Sequence, residues 1–118
     1  MQVAKGRVFS YRVKTSTAEW VERAGVVVVL AEHGLAPGSI PAETVEVAPA
    51  TVSTLDQVLR PNHAIVDWLP NLRREQPNFI DVDCGLTRTI PRSWLIEEQG
   101  IVPVVGLNKI DDAIALFL

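Results

Sequence analysis

The stretch that decides the fold is Val26-Val27-Val28-Val29-Leu30, in the first half of the chain. Consecutive β-branched residues favour an extended backbone over a helix. Because both odd and even positions are apolar, both faces of the resulting strand would be buried. We therefore expect this stretch to be the central strand of a sheet, covered on both sides by other elements.

Other strands are predicted on either side of this one. A strand that begins at Arg7 alternates with period two, and its apolar side is formed by Phe9, Tyr11 and Val13. A strand over 79–84 alternates in the same way, and its apolar side is formed by Ile80, Val82 and Cys84. Shorter strands are predicted at 44–47, at a sheet edge, and at 101–105, where Pro103 cannot donate to a ladder.

Helices are predicted where capping residues precede apolar positions and where glycine or proline follows them. They run from Ser16 to Gly25, from Thr54 to Leu59, from Pro91 to Gly100 and from Asn108 onward. The stretch 62–76 fits either turns or a short strand, and we expect turns. Together these elements predict an α+β fold: residues 1–118 form one small globular domain with a mixed sheet of about five short strands and about four short helices.

Composition excludes several classes of protein. The chain has 118 residues, of which 47% are hydrophobic and 21% are charged, and its net charge is −3, which is typical of one packed domain. The apolar run 26–31 is much shorter than the roughly 18 residues of a membrane-spanning helix. The first residues lack the apolar stretch of a secretory signal, so we expect a cytoplasmic protein with no membrane partner.

The sequence also lacks the usual signs of nucleic-acid, metal and cofactor binding. Basic residues form no dense patch, which does not favour nucleic acid as a partner. Cys84 is the only cysteine, so no internal disulfide forms, and no metal-binding or cofactor-binding motif is present. We expect neither a metal nor a cofactor.

Asp81 and Asp83 are the strongest candidates for chemistry. On one strand face their carboxylates would lie about 7 Å apart. Carboxylates at this spacing can hold a hard divalent ion or act as an acid and a base. The alternative is that they are the solvent-facing polar residues of a half-buried strand.

Four further residues are weighed as partners of this pair or as a second site. His33 follows the central strand, at the strand end where ligands gather in open α/β sheets, although it also fits an exposed turn. His63 would meet Asp67 only if that segment were helical. Arg88 and Arg92 could bind an anion, with salt bridges to nearby acids as the alternative.

The chain ends in an uninterrupted apolar run that begins at Ala113. A helix there can bury one stripe on its own sheet, which leaves other apolar side chains at the surface. We expect a homodimer, since pairing about a two-fold axis is the commonest way to cover such a surface. The predicted interface is formed by Ile114, Leu116, Phe117 and Leu118. In the alternative, the helix end sinks into a groove of its own domain.

Two functions remain open. The lack of a catalytic motif favours a non-enzymatic binding or assembly module that acts as a homo-oligomer, with its ligand undefined. The alternative is a small enzyme, a metal-assisted or acid/base hydrolase that uses the carboxylates of Asp81 and Asp83 with His33.

Overall fold

A computed structural model describes residues 3–34, 36–38, 43–53, 61–71 and 79–116. Within these ranges the chain forms one antiparallel sheet of eight strands and a single α-helix. The strands are β1 (Arg7–Lys14), β2 (Trp20–Ala31), β3 (Thr44–Ser53), β4 (His63–Asp67), β5 (Leu69–Pro70), β6 (Phe79–Asp83), β7 (Arg88–Pro91) and β8 (Leu95–Ile101). A short 3-10 helix covers Arg92–Trp94, and α1 covers Val104–Ala115.

The order of the strands makes the sheet curl back on itself. Neighbouring strands follow the order β4-β6-β3-β2-β1-β8-β5. Strand β7 also pairs with β3, along its first half, whereas β6 pairs with its second half. The two strands at the ends of this order, β4 and β5, are separated in the chain by Trp68 alone. Because one short segment supplies both edges, the sheet must bend until the edges meet.

The predicted α+β fold with about five strands and about four helices is wrong. The segment from Ser16 to Gly25 is the clearest case, because most of it belongs to β2, which pairs with β1 as far as Lys14 opposite Trp20. Its polar residues close a turn: the amide of Glu19 donates to the Thr15 hydroxyl at 3.2 Å. Capping residues also suit tight turns, and here cross-strand pairing outweighed the local helix signal.

Other predicted elements differ for similar reasons. The helix expected from Pro91 to Gly100 is the short 3-10 helix followed by β8. The strand expected at 101–105 ends at Ile101, and α1 begins at Val104 instead of near Asn108. Residues 63–67 form a strand where we expected turns, and β3 lies inside the sheet with neighbours on both sides. The helix predicted from Thr54 to Leu59 lies outside the described residues.

The central strand is where the sequence placed it. Val27, Val28 and Val29 are all fully buried, so this part of β2 is covered on both faces. Val28 belongs to an inner cluster that includes Val8, Val66, Ile80 and Ile110 of α1. Val27 and Val29 belong to an outer cluster with Phe9, Tyr11, Val47 and Ile90. We call the two sides of the sheet the inner and outer faces.

Helix α1 packs one side against the inner cluster. Ile110 is fully buried and Ile114 is half-buried, whereas Leu116, just after the helix, is 80% exposed. Phe117 and Leu118, the other residues of the predicted interface, lie outside the described residues. No helical segment in the described part of the chain has both the length and the apolar character needed to span a membrane.

Candidate functional site

The imidazole of His63 lies between the carboxylates of Asp81 and Asp83. In the pairing of β4 with β6, His63 lies opposite Asp83. Asp81 lies opposite Ile65, which is two residues after His63 on β4. Ala64 and Val66 point to the inner cluster, so strand alternation turns His63 to the outer face. His63 Nδ1 lies 2.6 Å from Asp81 Oδ1, and Nε2 lies 3.5 Å from Asp83 Oδ2. Each ring nitrogen therefore faces one carboxylate.

Asp83 is held in place by the turn that follows β6. Its Oδ1 accepts a hydrogen bond from the Asn62 side-chain amide and another from the backbone amide of Gly85, both at 3.1 Å. The backbone amide of Cys84 donates to the Asn62 carbonyl at 2.9 Å, which fixes the same turn against the start of β4. The carboxylate therefore has a set orientation toward His63.

These three side chains line a groove of about 610 Å³ on the outer face. The groove opens where β2 and β3 part, because β3 pairs with β2 only from Val26 onward. The remaining lining residues are Tyr11, Glu22, Arg23, Ala24, Gly25, Pro49, Ala50, Thr51 and Leu86. At the fork, a Cβ on Gly25 would lie 2.7 Å from the Ala50 carbonyl oxygen, so only glycine allows this close approach.

Among the described residues of the groove, acidic side chains outnumber basic ones. Asp81, Asp83 and Glu22 contribute carboxylates, and Arg23 contributes the guanidinium group among its lining residues. The side chain of His63 is 9% exposed, and that of Asp81 is 30% exposed. The histidine thus lies at the floor of the groove, and the carboxylate of Asp81 reaches its open space.

Cys84 faces away from this groove, into the inner cluster. Burial, together with the nearby negative charge of Asp83, raises the pKa of the Cys84 thiol to about 11. A neutral thiol is a poor nucleophile and a poor metal ligand. Its inward position agrees with the alternation of β6, and it is a small buried apolar residue.

The structure brings two of the three predicted site residues together. Asp81 and Asp83 share the outer face, as predicted from the alternation of their strand. His33 is exposed beyond the end of β2, where Ala31 pairs with Glu46. Asp81 pairs with Thr51, which is five residues after Glu46 on β3. At the rise of a strand, Glu46 and Thr51 are roughly 17 Å apart, and so are the end of β2 and Asp81.

Sequence reasoning missed His63 as the histidine of this site. It was linked to Asp67, and only for a helical segment, whereas on strand β4 those residues are about 13 Å apart. The alternation of Ala64 and Val66 with polar neighbours was the available signal. That signal was overlooked because the surrounding stretch was read as turns.

Arg88 and Arg92 lie away from the groove. Arg88 is exposed on β7, opposite Val47. Arg92 lies in the 3-10 helix, where its guanidinium donates to the Glu32 carbonyl oxygen at 2.5 Å. It also lines a smaller cavity of about 380 Å³ with Glu43, Pro91 and Ser93. The contacts of Arg92 tie the segment after β2 to the segment after β7.

Two comparisons extend this description. Over the described ranges, no group of three or more histidine, cysteine, aspartate or glutamate side chains is arranged to hold a metal ion. No protein family and no curated protein matches the sequence.

Proposed function

We propose that the protein is a non-enzymatic binding module whose ligand occupies the groove and presents a cationic hydrogen-bond donor to Asp81 and Asp83. The observation that carries this proposal is the position of the His63, Asp81 and Asp83 cluster on the groove of about 610 Å³. A groove with a few convergent polar groups is the usual form of a small-ligand site.

The chemistry of the two carboxylates supports a donor ligand. Ionised carboxylates only accept hydrogen bonds, and hydrogen bonds to charged donors are the stronger ones. Asp83 is oriented by Asn62 and Gly85 before any ligand arrives, so little side-chain freedom is lost on binding. The partly exposed carboxylate of Asp81 is the group that a ligand in the groove meets first.

The environment of His63 favours binding over catalysis. A general base needs a ring nitrogen with a lone pair directed at the substrate. Both nitrogens of His63 face carboxylates, so neither is directed into the groove. An acid/base hydrolase built on Asp81 and Asp83 with His33 would also have to bring His33 across the sheet from the end of β2.

We also propose that the module acts as a homodimer through the end of α1. Leu116 exposes an apolar side chain directly after the helix. Large exposed apolar side chains occur at interaction surfaces. Ile114 is already half-buried against the inner cluster, so the exposed Leu116 is the better probe of a dimer.

A titration with agmatine tests the proposed ligand chemistry, because agmatine carries both a guanidinium and an ammonium group. We expect its NMR shift changes to concentrate on His63, Asp81, Thr51 and Gly25, which line the groove. Asp81→Asn should weaken binding about tenfold, since one charge-assisted hydrogen bond is lost. Asp67→Asn, an exposed change on the same sheet, is the matched control and should leave the affinity unchanged.

Two results would contradict the binding proposal. One is that butanol, a neutral molecule, perturbs the groove as strongly as agmatine, since charge would then contribute nothing. The other is hydrolysis of p-nitrophenyl acetate or p-nitrophenyl phosphate that disappears in both His63→Gln and Asp81→Asn, which would show catalysis at the groove.

A further inference from the structure

Within the described residues, the first half of β2 pairs with a strand on one side only. Strand β1 pairs with it as far as Trp20, whereas β3 pairs with it only from Val26 onward. In the described ranges, no strand pairs with the second edge of residues 20–25. In an antiparallel ladder the backbone groups of successive residues point alternately to the two sides. Part of the amides and carbonyls of this segment therefore point to an edge without a strand.

This edge is exposed and kept extended by side-chain contacts. All five residues from Trp20 to Ala24 are exposed, with Trp20 at 43% and Val21 at 40%. The guanidinium of Arg12 on β1 stacks 4.0 Å from the centre of the Trp20 ring, which stabilises the pairing of the two strands. A preformed edge of this kind is a template for another strand.

The free edge and the acidic cluster belong to one surface. Glu22, Arg23, Ala24 and Gly25 line the same groove as Asp81 and Asp83. A strand added along this edge would lie in the fork between β2 and β3. Alternate side chains of such a strand point to opposite faces, so every second one would be directed at the outer face, where the carboxylates lie.

We infer that the ligand of the groove is an extended segment of another protein, which adds as a strand along Trp20–Ala24 and places a lysine or arginine side chain against Asp81 and Asp83. This inference rests on the proposed function and names the class of its ligand. Main-chain hydrogen bonds to the edge provide affinity, and the acidic pocket provides side-chain specificity. Charge complementarity selects the basic side chain, because the described residues of the groove contribute three carboxylates and one guanidinium.

A second copy of the chain fits this surface less well. Its own free edge is part of a hairpin, so β1 would accompany β2 into the fork. The groove would then have to accept a two-stranded ribbon, whereas a free peptide brings one strand. A single extended segment is therefore the occupant that we assign.

Selection from a random library of synthetic peptides, each about ten residues long, tests this inference. We expect the selected peptides to carry lysine or arginine flanked by β-branched residues. Their affinity should fall about tenfold in Asp81→Asn or Asp83→Asn and stay unchanged in Asp67→Asn. Only every second backbone amide of a bound peptide would face the edge of β2. N-methylation of that set of alternate amides should abolish binding, and N-methylation of the other set should not. Hydrogen exchange should slow at those amides of residues 21–24 that do not bond to β1.

The outcomes separate this inference from the function on which it rests. Agmatine binding without any selected peptide, or with selected peptides that all lack basic residues, would overturn the inference and leave the binding proposal in place. Failure of both agmatine and peptides would overturn both. If the amides of residues 21–24 are protected in the protein alone and lose protection on dilution, the occupant is a second copy and the peptide assignment is wrong.

Discussion

His63 Nδ1 and Asp81 Oδ1 lie 2.6 Å apart although the two residues are not opposite each other in the β4–β6 ladder. The contact is diagonal, since Asp83 occupies the position directly opposite His63. The imidazole leans along the strand to reach Asp81 while its second nitrogen stays near Asp83. The neighbouring strands β4 and β6 thus share one polar cluster on the outer face of the sheet.

The diagonal pair should contribute measurably to stability. In a double-mutant cycle of His63→Gln and Asp81→Asn, we expect a coupling free energy of about 1 kcal/mol, because the imidazole of the pair is largely shielded from water. Urea unfolding of the four proteins measures this coupling. The exposed pair Lys5–Asp111, with an N–O distance of 3.1 Å, is the control and should couple by only about 0.3 kcal/mol. Equal coupling in the two cycles would contradict the expectation.

Closure of the sheet should depend on the missing side chain of Gly100. A methyl group there would collide with the Leu69 carbonyl oxygen and lie 2.9 Å from Pro70 Cα, at the β5–β8 pairing. We expect Gly100→Ala to lower the free energy of unfolding by about 3 kcal/mol, because backbone atoms must move. Gly38→Ala is the comparison, since that site has a φ of +80° but open space, and should cost about 1 kcal/mol. Thermal or urea unfolding of both variants distinguishes them, and equal losses would exclude a special role for Gly100.

The buried thiol of Cys84 should make stability fall in alkaline solution. The ordinary pKa of the thiol is 9.0, and burial raises the pKa in the folded protein to about 11. Below pH 9 both states keep the proton, and the full stability is present. Between these values the unfolded chain loses its proton first, so unfolding becomes more favourable as pH rises. We expect a loss of about 1 kcal/mol by pH 10 that is absent in Cys84→Ala, measured as the difference between their urea unfolding curves over pH.

The same thiol should resist modification in the folded protein. Ellman's reagent at pH 8 is expected to react only after denaturant is added, because burial keeps the thiol neutral and covered. Rapid reaction of the native protein would show that the inner cluster opens easily. The loss of stability expected at alkaline pH would then not occur either.

The proposed homodimer predicts a concentration-dependent mass. Sedimentation of the wild type at micromolar concentration should show a dimer, and Leu116→Glu should shift it to a monomer with an unchanged fold, since this side chain is 80% exposed. Asn108→Glu, an exposed change earlier on α1, controls for added charge. A monomeric wild type would refute the dimer.

The sequence predicted best the strands whose side chains alternate or are apolar on both faces. β1, the centre of β2 and β6 were placed correctly because their own residues carry the period. The segment from Ser16 to Glu19 was misread because the same polar residues suit a helix start and a hairpin turn. Such a local pattern does not record which distant strand will pair with it.

The candidate site was half predicted for a similar reason. Asp81 and Asp83 could be assigned to one face from their own strand, but their histidine depended on which strand lies beside β6. That neighbour is set by long-range packing of Ala64 and Val66 against Ile80 and Val82, which one sequence does not encode in a local pattern. His33 was preferred because it follows the central strand, and the antiparallel order of the sheet places it at the other end of β3.

The single residue between β4 and β5 also determines how the protein comes apart. An open sheet can fray from either side, one strand at a time, whereas here residues 63–70 bond to β6 at one end and to β8 at the other. Peeling β4 away strains β5 through Trp68, and the inner cluster that contains Trp68 and Ile110 is exposed in the same event. Partial opening of the sheet therefore costs nearly as much free energy as complete unfolding, and we expect the domain to unfold cooperatively.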